Sequence, residues 1–288
     1  MTADRGPHTP SVSVVTVAFG RRGHLGRQRA SIDAMSIDVE HVVVDLGGPP
    51  IAPDDAVVLD RRVGDGAPLP LAAARNEGAR RSKGDVIVFL DVDCIAVPDL
   101  AEAYRQGVGT RGGIWCGPVG YLPPSDDIGD WSIEALSSLA TVQAGRPRFG
   151  DAPHRTDRYE LFWSLSFAVT RSTFEQLGGF DERFVGYGAE DTDFGETARR
   201  AGVELWFDGR AGAFHQHHPV SSPPVEHVDS IVRNACVFHD KWGRWPMEGW
   251  LREFAARNLI EWQPESGRLV RTDRRIDDET VSGSSGPT

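Results

Sequence analysis

Buried-strand patterns alternate with helical ones along the first third of the chain. Residues 12–19 form an apolar, β-branched run that ends at Gly20-Arg21-Arg22-Gly23. A second run spans 40–45 and closes at Gly47-Gly48-Pro49-Pro50; a short third covers 56–60. Residues 70–83 are rich in Ala and Arg and stop at Gly84, as a helix does. The run 86–90, Val-Ile-Val-Phe-Leu, is apolar throughout and reads as a strand buried on both faces. Strand, connection, strand, helix and strand at these lengths predict an α/β fold with a mostly parallel central sheet flanked by helices.

Further on, Pro98 opens a helix over 98–108, 114–122 reads as one strand, and 123–127 as a loop. Ile128, Trp131, Ala135, Leu136 and Leu139 fall at helical spacing within 128–144. The polar stretch 145–158 carries Gly and Pro and reads as a mobile loop, either a lid or an ordinary surface connection. Residues 162–169 predict a strand, and Ser172-Thr173-Phe174-Glu175 a capping box opening a helix that stops at Gly178-Gly179. Residues 190–200 predict a helix with acids first and arginines last, followed by a strand over 203–207. Apolar positions 228, 231, 232, 235, 238 and 242 mark an amphipathic helix over 228–242; another follows over 246–256. From 271 the chain is charged and then rich in Ser, Gly and Pro, the composition of disorder. The resulting division is a disordered 1–10, a domain over 11–220 split near 97/98 into a nucleotide-binding half and an acceptor and catalytic half, a helical extension over 221–268, and a disordered tail over 269–288.

A net charge of −11 argues against nucleic acid as the partner. The cysteines, Cys94, Cys116 and Cys236, have no paired spacing and read as reduced thiols. No apolar run is long enough to span a bilayer, and residues 1–10 lack a signal-peptide core, so a cytoplasmic location is expected, with peripheral membrane contact left open.

The chemistry concentrates where the 86–90 strand ends, at Asp91-Val92-Asp93. On an extended chain both carboxylates point to one side, and open α/β sheets bind ligands past the carboxyl ends of their strands. A divalent cation would relieve their repulsion and hold a phosphorylated ligand; an acidic turn after a strand has the same sequence. Gly-x-Gly-x-x-Gly and Gly-x-x-x-x-Gly-Lys phosphate cradles are missing, so phosphates would rely on the cation and arginines. A second cluster, Gly186-Tyr187-Gly188-Ala189-Glu190-Asp191-Thr192-Asp193, sits at a helix start. Acids there suit the helix dipole, and the glycines flanking Tyr187 suggest a ligand close to the backbone. A third is His215-Gln216-His217-His218. His215 and His217 alternate on an extended chain and, with Asp93, would form a mixed nitrogen and oxygen site suited to manganese or zinc; a histidine-rich surface loop is the plain alternative.

In their order, Phe89-Leu90-Asp91-Val92-Asp93-Cys94-Ile95, Phe162-Trp163, Gly178-Gly179-Phe180 and the 186–193 stretch resemble β-1,4-galactosyltransferases and their GT-A, family-2-like relatives over about 11–220. The resemblance implies a GT-A fold and an inverting, metal-dependent transfer of a hexose (galactose, glucose or an N-acetyl derivative) from a UDP-sugar to an acceptor hydroxyl. The acceptor would be a carbohydrate, a glycolipid or a small molecule, and the cation Mn²⁺ or Mg²⁺. A sugar-nucleotide sensor without catalysis, or a nucleotidyltransferase, are the competing readings on this fold. By resemblance, Asp93 with His215 and His217 would hold the metal. Asp91 would face the donor, Phe19, Arg21 and Asp45 the nucleoside, and Arg75 and Asn76 the diphosphate. Tyr187 and Gly188 would line the sugar site, Glu190 would bind hydroxyls, and Asp191 would act as base. Relatives that use Met three residues before the histidine have a ligand that Gly212 does not supply here. The extension over 221–268 would cover the acceptor side or form a homodimer contact.

Overall fold

Two sheets meet where the 86–90 strand ends, and the candidate chemistry lies on their seam. The computed structural model describes residues 9–48, 57–64, 66–219 and 221–273. Its strands are β1 Val12–Ala18, β2 Glu40–Asp45, β3 Val57–Asp60, β4 Val86–Leu90, β5 Cys94–Ala96, β6 Ile114–Cys116, β7 Val119–Tyr121, β8 Thr141–Val142, β9 His154–Thr156, β10 Ser166–Thr170, β11 Leu205–Phe207, β12 Ala213–His215, β13 Ile260–Gln263 and β14 Arg268–Arg271. Its helices are α1 Arg22–Asp33, α2 Leu71–Arg81, α3 Leu100–Arg111, α4 Ile133–Leu139, α5 Arg171–Leu177, α6 Glu190–Arg200, α7 Val228–Trp242 and α8 Glu248–Ala256.

The large sheet has the order β3-β2-β1-β4-β10-β6-β11-β9. Its first four strands pair in parallel, as the crossovers predict. Beyond β4 the sheet turns mixed: β10 is antiparallel to both β4 and β6, and β9 is antiparallel to β11. The second sheet, β5-β12-β7-β8, takes off where β4 ends. An aromatic core locks β4 and β10 to α6. Phe89 stacks on Phe167 at 4.7 Å, and Phe180 on Phe194 at 4.6 Å.

Several local expectations shift, each for a visible reason. The predicted strand over 114–122 is two strands in different sheets, broken at Gly117-Pro118. A Cβ on Gly117 would lie 1.6 Å from the Ala211 carbonyl oxygen, so the break depends on glycine. Helix α1 carries too few apolar residues to announce itself; only Leu25, Gln28 and Ile32 are buried. The helix expected over 128–144 is confined to α4. The cap of α5 is Thr170, which accepts from the Thr173 amide, and not Ser172. Residues 145–158 do not form a free loop: Arg146 is buried, Phe149 stacks on Phe214 at 5.0 Å, and β9 joins the large sheet.

The extension is α7, α8 and a hairpin of β13 and β14 around a core of its own. The expected tail boundary at 269 therefore falls inside β14, where Leu269 pairs with Trp262 and is buried. Pro49, Pro50, Ala56 and the stretches 1–8 and 274–288 lie outside the described residues.

Candidate active site

Asp91 and Asp93 occupy the turn between β4 and β5. The Asp91 amide donates to Leu165 O at 2.9 Å, and the Cys94 amide donates back to Asp91 O at 2.8 Å. This turn sends the two side chains to different partners. Asp93 faces β12, whose His215 lies in register with Cys94, and the Gln216 amide donates to Asp93 O at 2.7 Å.

Three side chains converge there. His215 Nε2 is 3.4 Å from Asp93 Oδ1, and His218 Nε2 is 3.5 Å from Asp93 Oδ2. One ligand atom from each of the three residues lies within 4.8 Å of the others. Burial lowers the pKa of both imidazoles, for His218 with the Arg21 charge adding to it, which favours neutral rings with a free nitrogen. One carboxylate and two imidazoles suit a borderline divalent cation. His217, the expected third ligand, is exposed instead. The strand ends at His215 and Gln216 turns inward, its side chain donating to His24 O at 3.1 Å, so alternation fails and His218 comes round. Arg21 also contacts Asp93, from a left-handed backbone with φ of 51°. It therefore competes with any cation for this carboxylate, and Arg21→Ala should bind Mn²⁺ roughly three- to ten-fold more tightly without nucleotide, the scale of one exposed charge. Mn²⁺ titration followed by electron paramagnetic resonance checks this; weaker binding by the variant would make Arg21 a helper.

The acids form a second group around Arg75, which is buried on α2. Its guanidinium reaches Asp91 Oδ1 and Glu190 Oε1, both at 3.2 Å, and lies over the Phe180 ring at 5.4 Å. Asp191 follows Glu190 in the first turn of α6, its Oδ1 taking the Thr192 amide at 2.6 Å. Burial drives all three carboxyls upward; the Asp191 charge adds to it for Glu190, and those of Asp93 and Asp191 for Asp91. Glu190 rises to about 7 and Asp91 to about 6, with Arg75 opposing; Asp191 also rises. Acids with raised folded pKa values hold protons that the unfolded chain releases. Their contribution to stability is complete below pH 4 and is lost as pH rises through 6 to 7. Thermal midpoints should fall over that window in wild type and fall less in Glu190→Gln; identical slopes would remove Glu190 from the cluster.

Other expected residues go elsewhere. Asn76 turns away from Arg75 and pins the 178–182 turn: Nδ2 donates to Phe180 O at 2.8 Å and Oδ1 accepts from the Phe180 amide at 2.8 Å. Asp45 is buried and already bonded, to Arg62 Nη2 at 2.9 Å and the Gly47 amide at 3.0 Å. Phe19 is exposed beside Gly47. Gly186 and Gly188 have φ of 79° and 94°; Cβ atoms there would lie 2.7 Å from the Ser230 side chain and 3.0 Å from Met247 Sδ. The close approach that these glycines permit is to the chain's own helices, not to a ligand. Tyr187 is exposed, and its ring stacks on His227 at 4.6 Å.

Sequence reasoning missed His218 and Tyr121. The Tyr121 ring lies over His215 at 4.9 Å because β7 and β12 pair in that register. Burial raises its pKa to about 12, and its charge adds to the upward shift of Tyr187. A two-histidine signal was legible in the sequence; which histidine pairs with His215 was not.

Two segments of the chain match family models, and its fold matches solved structures. A family model described as glycosyl transferase family 2 matches residues 68–116, which include Arg75, Asp91 and Asp93. Another, described as the N-terminal domain of galactosyltransferase, matches 147–220, which include Asp191, His215 and His218. The structure resembles that of GalNAc-T7 with UDP, GalNAc and Mn²⁺, with a TM-score of 0.55 at 16% identity over 88% of this chain and 58% of the other. It also resembles S. aureus TarS 1-349, with a TM-score of 0.52 at 12% identity over 78% of this chain and 69% of the other. The chain has the GT-A fold. Among curated relatives of this GT-A chain, validoxylamine A glucosyltransferase of Streptomyces hygroscopicus subsp. jinggangensis is 25% identical over 69% of this chain. The N-acetylglucosaminyl-diphospho-decaprenol L-rhamnosyltransferase of Mycobacterium tuberculosis is 33% identical over 29% of each chain. The chain spans about half the length of the validoxylamine relative, 53%. Among the described residues, no helix is long and apolar enough to cross a membrane.

Proposed function

We propose that the chain transfers a hexose from a UDP-sugar to an acceptor hydroxyl, with inversion, and that it depends on a divalent metal. One observation carries this reading: a metal-competent Asp93, His215 and His218 set adjoins a buried acid cluster from which Asp191 can serve as base. A structural neighbour holding UDP, GalNAc and Mn²⁺ supports the donor class and the metal, and a relative named a glucosyltransferase supports a hexose.

Asp93, His215 and His218 would hold Mn²⁺ or Mg²⁺. When bound, the ion would supply charge to offset that of the leaving diphosphate. Asp191 accepts the acceptor's hydroxyl proton as the oxygen bonds to the anomeric carbon and the bond from that carbon to the diphosphate oxygen breaks. Attack from the face opposite the diphosphate turns an α-linked donor into a β-linked product. Arg75 holds Asp91 and Glu190 in place, and Glu190 orients sugar hydroxyls. Retention of both an intact ligand set and a base favours an enzyme over a sensor. A panel of nucleotide sugars with Mn²⁺, read by thermal shift and slow donor hydrolysis, tests the reading. Stabilisation and turnover with one UDP-sugar are expected; hydrolysis of none of them would count against it.

A further inference from the structure

Helix α7 belongs to the extension, yet it grips the loop that leads to Asp191 at several points. Asn234, fully buried on α7, satisfies the loop backbone. Its Nδ2 donates to Gly188 O at 2.8 Å and Tyr187 O at 3.3 Å, and its Oδ1 accepts from the Val185 amide at 3.4 Å. Around it, a Cβ on Gly186 would lie 2.7 Å from the Ser230 side chain, and one on Gly188 would lie 3.0 Å from Met247 Sδ. At the far end of α7, Lys241 and Trp242 hold Asp193 at 2.9 and 2.7 Å. The buried primary amide matches its partners in kind, donating to two carbonyls and accepting from one amide, as a buried polar group must to repay its desolvation.

We propose that Asn234 is a positioning residue for the transfer: its amide sets where Tyr187, Glu190 and Asp191 stand relative to the bound donor. The extension is then part of the catalytic apparatus rather than a cover or an association surface. This rests on Asp191 acting as base, as argued above. The donor's metal ligands come from the β4–β5 turn and from β12 with the chain that follows it, so the loop can shift without disturbing them. A misplacement on the order of 1 Å costs about 100-fold in rate when geometry limits turnover.

The test compares two variants of the full chain. Asn234→Asp keeps shape and acceptor but loses both donations. Met247→Leu conserves volume and perturbs the apolar packing around Gly188, Phe184 and Ala189 while leaving the Asn234 hydrogen bonds in place. Three readouts apply: hydrogen exchange of amides 185–191, UDP affinity in Mn²⁺, and hydrolysis of the preferred UDP-sugar. In Asn234→Asp the loop amides should exchange at least ~10-fold faster while β4 amides keep their protection. UDP affinity should stay within about three-fold, and turnover should fall by about 100-fold through kcat rather than donor KM. Met247→Leu should resemble wild type in all three. Loop exchange and turnover near wild type in Asn234→Asp, or an equal loss in Met247→Leu, would overturn the proposal. Asn234→Ala, with no buried charge, asks the same question if the aspartate variant loses β4 protection. Should the wild-type chain neither bind UDP nor hydrolyse any UDP-sugar, the functional reading fails; the exchange data still decide whether Asn234 holds the loop.

Discussion

Asp191→Asn should bind UDP with Mn²⁺ as wild type does and lose transfer by about 10²- to 10⁴-fold, the contribution of a positioned general base. That range corresponds to roughly 3–5 kcal/mol of transition-state stabilisation. The amide keeps the side chain's size and can still accept from the Thr192 amide, which Asp191 Oδ1 takes at 2.6 Å. What it loses is the ability to take a proton. Initial rates with saturating donor, set beside UDP titrations, separate the two effects. A variant that transfers at more than a tenth of the wild-type rate would move the base to Glu190, whose pKa of about 7 also suits proton uptake near neutrality. The rate of wild type should rise with pH as this coupled cluster gives up its protons, and level off once it is ionised.

Asp93→Ala should lose Mn²⁺ and, with it, metal-dependent UDP binding, each weakened at least ~100-fold, beyond what loss of a supporting contact costs. Asp93 is the only carboxylate among the three converging ligands, and without it two neutral imidazoles face the cation. Thermal shift with Mn²⁺ alone and then with UDP reads both losses. His218→Ala should weaken Mn²⁺ markedly, whereas His217→Ala should change it little, because His217 is exposed and outside the set. The reverse ranking would restore the spacing expected from an extended strand.

The parts of the fold written in hydrophobic periodicity were legible. Strands β2 and β4 and helices α6 and α7 occupy the expected residues, since each is long enough or apolar enough for local pattern to decide it. Asp91, Asp93, Glu190 and Asp191 could be picked out because strand ends and helix starts are where sequence marks position; Arg75, inside α2, came only from the resemblance, which put it at the diphosphate and not between Asp91 and Glu190. Pairing between distant segments was not legible. Tyr121 meets His215 through β7–β12 register, and His218 replaces His217 because Gln216 turns inward to His24. Neither contact leaves a trace within its own stretch of chain. Asn76 failed for a related reason. Adjacent helix residues point about 100° apart, so Arg75 and Asn76 could not both face the same ligand. The glycines flanking Tyr187 were rightly read as marking a close approach, yet the visitor is the extension's own helix.

Donor binding is expected to depend on the cation site formed by Asp93, His215 and His218. Calorimetric titration of UDP into the full chain, once with Mn²⁺ and once with a chelator, tests it most directly. Binding at least ~30-fold tighter with Mn²⁺, about 2 kcal/mol, is the predicted result. Equal affinity under the two conditions would contradict it.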